Sequence, residues 1–224
     1  MFFSPFDILF FLLFFFLAFA LLVFIHIGLI TIAFERIGLT ESQTFGFLLL
    51  SLLGSSINIP IKKIEVDTPL EPFDHPVRFF GMVYNVPRQI KGQMIIAVNV
   101  GGAIVPFLLS CYLMVKHHIF IEPIAAALLV ASLTYFFAKP VPGIGIAMPV
   151  FIPPLIAAAV TLILGPSPHA PAIAYIAATM GTLLGADIFH LKDVKKLQAP
   201  LVSIGGAGTF DGIFLAGIIA VLLA

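Results

Sequence analysis

Long apolar runs constrain this chain more than any other feature. A helix that crosses a bilayer needs about 20 mostly apolar residues. Only 10% of the residues are charged, against roughly 25% in soluble domains. We therefore expect a single all-α polytopic domain over residues 1–224 that crosses the cell membrane about seven times. The predicted segments are 8–33, 44–59, 99–115, 122–138, 149–165, 171–190 and 202–223.

Two of these segments could be broken or re-entrant helices. Segment 44–59 is short, and segment 149–165 starts with Pro149, Pro153 and Pro154. The first segment, in contrast, is longer than the roughly 7–15 apolar residues of a signal peptide and lacks its basic region. We expect it to be retained as a transmembrane helix.

The basic residues are unevenly divided between the two sides of the predicted membrane. All of them fall on one side except Arg36 and Lys116. Loops rich in Lys and Arg stay in the cytoplasm, so we expect a cytoplasmic N-terminus and an external C-terminus. The formal net charge of zero gives no indication of a nucleic-acid partner. The expected partners are membrane lipids and a transmembrane peptide.

The longest polar stretch, residues 60–92, is a predicted cytoplasmic loop. It contains the alternating runs IKKIEV and VRFFGMVYNV, separated by a Pro-rich turn. Such alternation predicts short β-strands. These strands could form a small amphipathic cap, or they could offer an edge to an extended peptide.

A weak internal repeat links the two halves of the chain. LLGSSINIPIK (52–62) followed by VNVGGA (98–103) is similar to LLGADIFHLK (183–192) followed by VSIGGA (202–207). Both pairs would run in the same direction across the membrane. A duplication would therefore give a parallel repeat, as found in some transporters.

Asp187 and Asp211 are the acidic residues that fall inside predicted spans, where charged groups are costly and mark function. Both lie roughly 7–10 Å from the cytoplasmic boundary at 1.5 Å per helical residue. Small residues, including Gly206 and Gly208, would let the two helices approach closely. Facing carboxylates in a medium of low dielectric constant share a proton. Such a pair suits an aspartic hydrolase, a proton- or cation-coupled carrier or channel, or a scaffold without catalysis.

Two motifs resemble the GxGD intramembrane aspartyl proteases, which include presenilin, signal peptide peptidase and the prepilin peptidases. GADIFHL (185–191) is similar to the first aspartate helix of that family, and GAGTFDGIFLAG (206–217) to the second. The resemblance covers about 40 C-terminal residues and implies that Asp187 and Asp211 are the catalytic pair. The second aspartate follows Gly208 by three residues instead of one, and no Pro-Ala-Leu motif follows. The whole chain resembles a family of polytopic prokaryotic membrane proteins without an assigned activity.

Several other residues are candidates for binding a substrate or an ion. His190 shares a helical face with Asp187 and could also form a metal site with Asp211. Asn58 and Asn99 lie at predicted helix ends, where unwound backbone could bind an ion. The Pro- and Gly-rich run at residues 139–154 could face a substrate. We predict no cofactor and no metal centre, because no phosphate loop, dinucleotide fingerprint or nucleophilic Ser/His/Asp set is present.

Overall fold

The computed structural model is mostly helical, with small β-sheets. It describes residues 15–17, 19, 27–65, 77–79, 82–84, 93–141, 145–164, 167–197, 199, 201–206 and 212–224. The helices are α1 (Ile27–Arg36), α2 (Glu41–Gly54), α3 (Val105–His117), α4 (Ile121–Phe137), α5 (Ile152–Ile163), α6 (Ala170–Thr182) and α7 (Gly212–Leu223). The strands are β1 (Asn58–Glu65), β2 (Val77–Phe79), β3 (Met82–Tyr84), β4 (Gln93–Asn99), β5 (Lys139–Val141), β6 (Gly145–Ala147) and β7 (Leu201–Ile204).

Local sequence signals explain where the helices begin. Thr40 and Gln43 form a reciprocal capping box at the start of α2, which satisfies two of the backbone N–H groups that a helix start leaves open. Proline occupies the first turn of α3, α5 and α6, where its missing N–H costs nothing. Gly38, with φ +88°, separates α1 from α2, and the two helices are bent by 114°.

Helix α6 is the centre of the helical core. It packs against α3, α4, α5 and α7, and its side chains from Ala172 to Thr179 are all buried. Small side chains let helices approach closely without a hydrophobic driving force between them. A second part of the core is aromatic: the ring of Phe34 lies 5.2 Å from that of Phe47 and 6.3 Å from that of Phe214.

A mixed three-stranded sheet joins distant parts of the chain in the order β1-β4-β7. Strands β1 and β4 are antiparallel, with Asn58 opposite Asn99, whereas β4 and β7 are parallel, with Val98 opposite Ile204. The two pairs β2-β3 and β5-β6 are separate antiparallel hairpins. Strands β1, β2 and β3 fall in or beside the predicted 60–92 loop. The three-stranded sheet, however, also includes β7, most of which lies inside the predicted span 202–223.

The helical lengths support a membrane protein without establishing seven crossings. In the described part of the chain, Val100–His117 and Ala170–Ile188 are long and apolar enough to cross a bilayer, and the bent pair α1-α2 gives up to a third span. Helices α4, α5 and α7 are apolar but shorter. The number of spans and their orientation therefore remain predictions.

The last predicted span, 202–223, differs from the structure at its start. Its first residues belong to strand β7, and the described part of helix α7 is Gly212–Leu223. Gly205 and Gly206 have φ values of +85° and +87°. Consecutive residues in the left-handed region end a strand and cannot open a right-handed helix.

Candidate functional site

Asp187 lies in a π-helical turn, Leu183–Ile188, that continues α6. Gly185 in this turn packs directly on α4: a Cβ atom there would be 2.1 Å from Thr134 Oγ1 and 2.3 Å from Ala131 O. Only glycine permits this approach. The π-helical turn thus rests on the backbone of α4, and turns of this kind recur at functional sites.

The Asp187 carboxylate is held by the end of strand β7. The backbone nitrogen of Gly205 donates a hydrogen bond of 2.7 Å to Asp187 Oδ2. Gly205 itself is tightly packed, because a Cβ atom there would be 2.6 Å from that of Ala103. The segment around Gly205 that orients the Asp187 carboxylate is therefore tightly packed, and its backbone has positive φ values.

The structure brings the two candidate asparagines together in a buried network. Asn99, which is 1% exposed, donates to Ser55 O at 2.8 Å and to Asn58 Oδ1 at 3.1 Å. Its own Oδ1 accepts a hydrogen bond of 2.8 Å from the nitrogen of Gly102. The network thus joins β1, β4 and the start of the helical turn that leads into α3.

Ser203 connects this network to the segment beside Asp187. Its hydroxyl lies 2.6 Å from Asn58 Oδ1 and 2.8 Å from Gly206 O. In addition, the backbone of Gly102 approaches Gly205 so closely that a Cβ atom at position 102 would be 1.9 Å from Gly205 O. The two similar segments VNVGGA and VSIGGA are therefore in direct contact through their glycines.

A cavity of about 210 Å³ borders Asp187. Its walls come from the π-helical turn, from β7 with Gly206, from the start of α7, and from the β6 hairpin with the segment leading into α5. The wall residues of that last group fall within the Pro- and Gly-rich run singled out in the sequence; they are Gly145, Ile146, Met148, Val150 and Pro153. The cavity is well above the ~15 Å³ that one water molecule needs.

Asp211 and Gly208 lie outside the described residues. Gly212, which follows Asp211 in the chain, lines the cavity that Asp187 borders. Among the residues that the structure describes, no group of three or more His, Cys, Asp or Glu side chains is placed to hold a metal ion.

His190 faces the interface of the π-helical turn with α4. Its ring is buried, its Nδ1 donates to Gly185 O at 3.1 Å, and the ring lies 4.6 Å from that of Tyr135. Lys192 donates a hydrogen bond of 3.0 Å to the Tyr135 hydroxyl, and this bond raises the pKa of Lys192. These contacts indicate that His190 holds the π-helical turn against α4.

Sequence reasoning missed the contributions of Ser203 and of the Gly205 N–H. The internal repeat does indicate Ser203, because this residue aligns with Asn99. The contact of Gly205 with Asp187, however, depends on pairing between β4 and β7. This pairing cannot be predicted from a local sequence pattern.

Comparison with known proteins places the chain within a family. The family model described as "Protein of unknown function (DUF1614)" matches residues 52–223, a range that includes Asp187, Asp211 and the asparagine network. No curated protein and no solved structure matches the chain. The comparisons give no support to the resemblance with GxGD proteases.

Proposed function

We propose that this chain, which belongs to the DUF1614 family of proteins of unknown function, is an aspartyl-type peptide hydrolase of the cell membrane. Its two carboxylates would be Asp187 and Asp211, acting on a membrane peptide near the cytoplasmic side. The observation that carries the proposal is the position of Asp187 on a cavity bordered by two strand edges.

These edges suit an extended peptide. In the described part of the chain, β7 pairs only with β4, and β6 pairs only with β5. Residues Leu201–Ser203 of β7 and Gly145 and Ile146 of β6 line the cavity. An extended peptide binds to an open strand edge through its main-chain groups, and such a peptide would run past the Asp187 carboxylate.

The chemistry follows from a proton shared between two carboxylates. One carboxylate accepts a proton from a water molecule, whose oxygen forms a bond to the carbonyl carbon of the scissile peptide. The other, protonated, carboxyl donates its proton toward that carbonyl oxygen. When the C–N bond breaks, the first carboxyl donates the proton that it took from water to the leaving nitrogen, and the second carboxylate regains a proton from a hydroxyl of the tetrahedral intermediate as its C=O bond forms. The hydrogen bond from Gly205 would keep Asp187 in one orientation during these steps.

Cleavage of membrane-embedded peptides by the purified protein in liposomes tests the proposal. We expect Asp187→Asn and Asp211→Asn each to reduce the rate by at least about 100-fold, the usual contribution of a general acid or base. Asp193→Asn is the matched control, because it removes a carboxylate that does not line the cavity. Unchanged cleavage in the Asp187 and Asp211 variants would exclude the hydrolase.

Ion-coupled transport is the second candidate function. It is favoured by non-helical backbone at Gly205 and Gly206 directly beside Asp187, since transporters bind ions where helices are broken. A carrier would show uptake driven by a pH or ion gradient in proteoliposomes, lost on Asp187→Asn, with no peptide cleavage. A scaffold would show neither activity.

A further inference from the structure

An apolar groove of about 370 Å³ runs between α2 and α3, away from Asp187. Its floor is formed by the buried side chains of Phe47 and Leu109, and its rims by Leu50 and Leu108, which are 62% and 58% exposed. The groove has free space at Gly46, because a Cβ atom at this position would meet nothing within 4 Å.

One end of the groove is polar. Gln43 Nε2 donates to the Tyr112 hydroxyl at 3.3 Å, and both residues line the groove. One turn further along α3, the Lys116 ammonium lies 5.6 Å from the centre of the Tyr112 ring and also donates to Gly38 O. Glu41, two residues before Gln43, does not share its helical face. The groove therefore has an apolar body and a polar end, and the Lys116 ammonium lies next to Tyr112 at that end.

The lining of the groove indicates what can occupy it. An unbranched hydrocarbon chain can contact the apolar floor and rims without burying an unpaired polar group. The Lys116 ammonium next to the polar end favours an anionic group attached to that chain.

We propose that this groove is a binding site for one anionic phospholipid. An acyl chain lies between α2 and α3 along Gly46, Leu50 and Leu108, and the phosphate lies at Lys116 beside Gln43 and Tyr112. The site is independent of the function proposed for Asp187, and it commits to a membrane lipid as its occupant.

The chain contains no tryptophan, so a single introduced tryptophan reports on the groove. Leu108→Trp places the reporter on the rim, and Leu129→Trp places a control on α4 at a similarly exposed position. Each variant is reconstituted in phosphatidylcholine vesicles that contain a minority of chain-brominated phosphatidylglycerol or chain-brominated phosphatidylcholine. One lysine near the membrane surface enriches an anionic lipid about fivefold, so we expect preferential quenching by the brominated anionic lipid at position 108 but not at 129.

Two further variants separate charge from shape in the Leu108→Trp background. Lys116→Gln should remove the preference for the anionic lipid, and Gly46→Leu should fill the groove and reduce quenching by both brominated lipids. Gly28→Leu is the matched control, because Gly28 on α1 also has open space around its Cβ position and does not line the groove. If Leu108→Trp does not fold, Leu50→Trp on the opposite rim replaces it. Equal quenching by the two lipids, or a preference that survives Lys116→Gln, would overturn the proposal.

Discussion

The carboxylate of Asp187 and the backbone nitrogen of Gly205 are joined by a hydrogen bond of 2.7 Å, across 18 positions of the chain. This bond connects the end of α6 to the end of β7. It predicts that the two most obvious substitutions of Asp187 will differ in stability. Asp187→Asn keeps a side-chain oxygen that can accept from Gly205, whereas Asp187→Ala leaves the N–H without this acceptor.

The alanine variant should therefore lose about 1–3 kcal/mol of unfolding free energy, and the asparagine variant much less. Thermal unfolding in detergent measures the difference. If both variants lower the Tm equally, the Gly205 hydrogen bond does not stabilise the fold, and Asp187→Asn is no longer a clean probe of chemistry.

Gly205 should tolerate no side chain. Gly205→Ala would combine a left-handed backbone, at φ +85°, with a contact of 2.6 Å to the Cβ of Ala103. Strain and overpacking together cost about 2–5 kcal/mol. Gly212→Ala is the control, since a Cβ at that position meets nothing within 4 Å, and its Tm should stay close to that of the unmodified protein. A similar Tm for the two variants would contradict the close packing of β7 against Ala103.

Asn99 should be one of the polar positions at which substitution lowers the stability of the fold most. Asn99→Ala would leave the Gly102 nitrogen and the Ser55 carbonyl, both bonded to this buried side chain, without a partner. We expect a loss of about 2–5 kcal/mol, measured by chemical or thermal unfolding. Ser132→Ala is the comparison, because its exposed hydroxyl bonds only within its own helix to Leu128 O and should change stability by less than about 0.5 kcal/mol.

The orientation predicted from the basic residues can be tested at the two ends of α4. Cys111 is the chain's single cysteine, so Cys111→Ser provides a cysteine-free background. Glu122→Cys and Lys139→Cys are both at exposed positions. With a membrane-impermeant maleimide on intact cells, position 122 should be labelled, and position 139 only after permeabilisation. The reverse pattern would show that the excess of Lys and Arg does not set the orientation here.

Much of the helical content could be predicted from the sequence, because apolar segments and helix-starting prolines are local signals. Helices α2 to α7 each lie largely within a predicted segment, and β1, β2 and β3 fall where alternating residues predicted strands. The lengths of these helices and strands were predicted less accurately than their positions. Hydropathy does not distinguish an apolar helix from the apolar strand β7, so the segment predicted as one span over 202–223 contains a strand at its start.

The sequence by itself determined that this chain is rich in apolar helices, that Asp187 is an acidic residue in an apolar setting, and that glycine pairs occur in the two similar segments VNVGGA and VSIGGA. Only the tertiary structure decided that β4 and β7 are parallel neighbours, that Asn58, Asn99 and Ser203 form one network, and that Gly205 holds Asp187 at a cavity. The physical reason is that these contacts join residues far apart in the chain through backbone and side-chain hydrogen bonds and the close approach of glycines. Such contacts depend on which segments meet in the fold, and the local composition of a segment does not determine its distant partners.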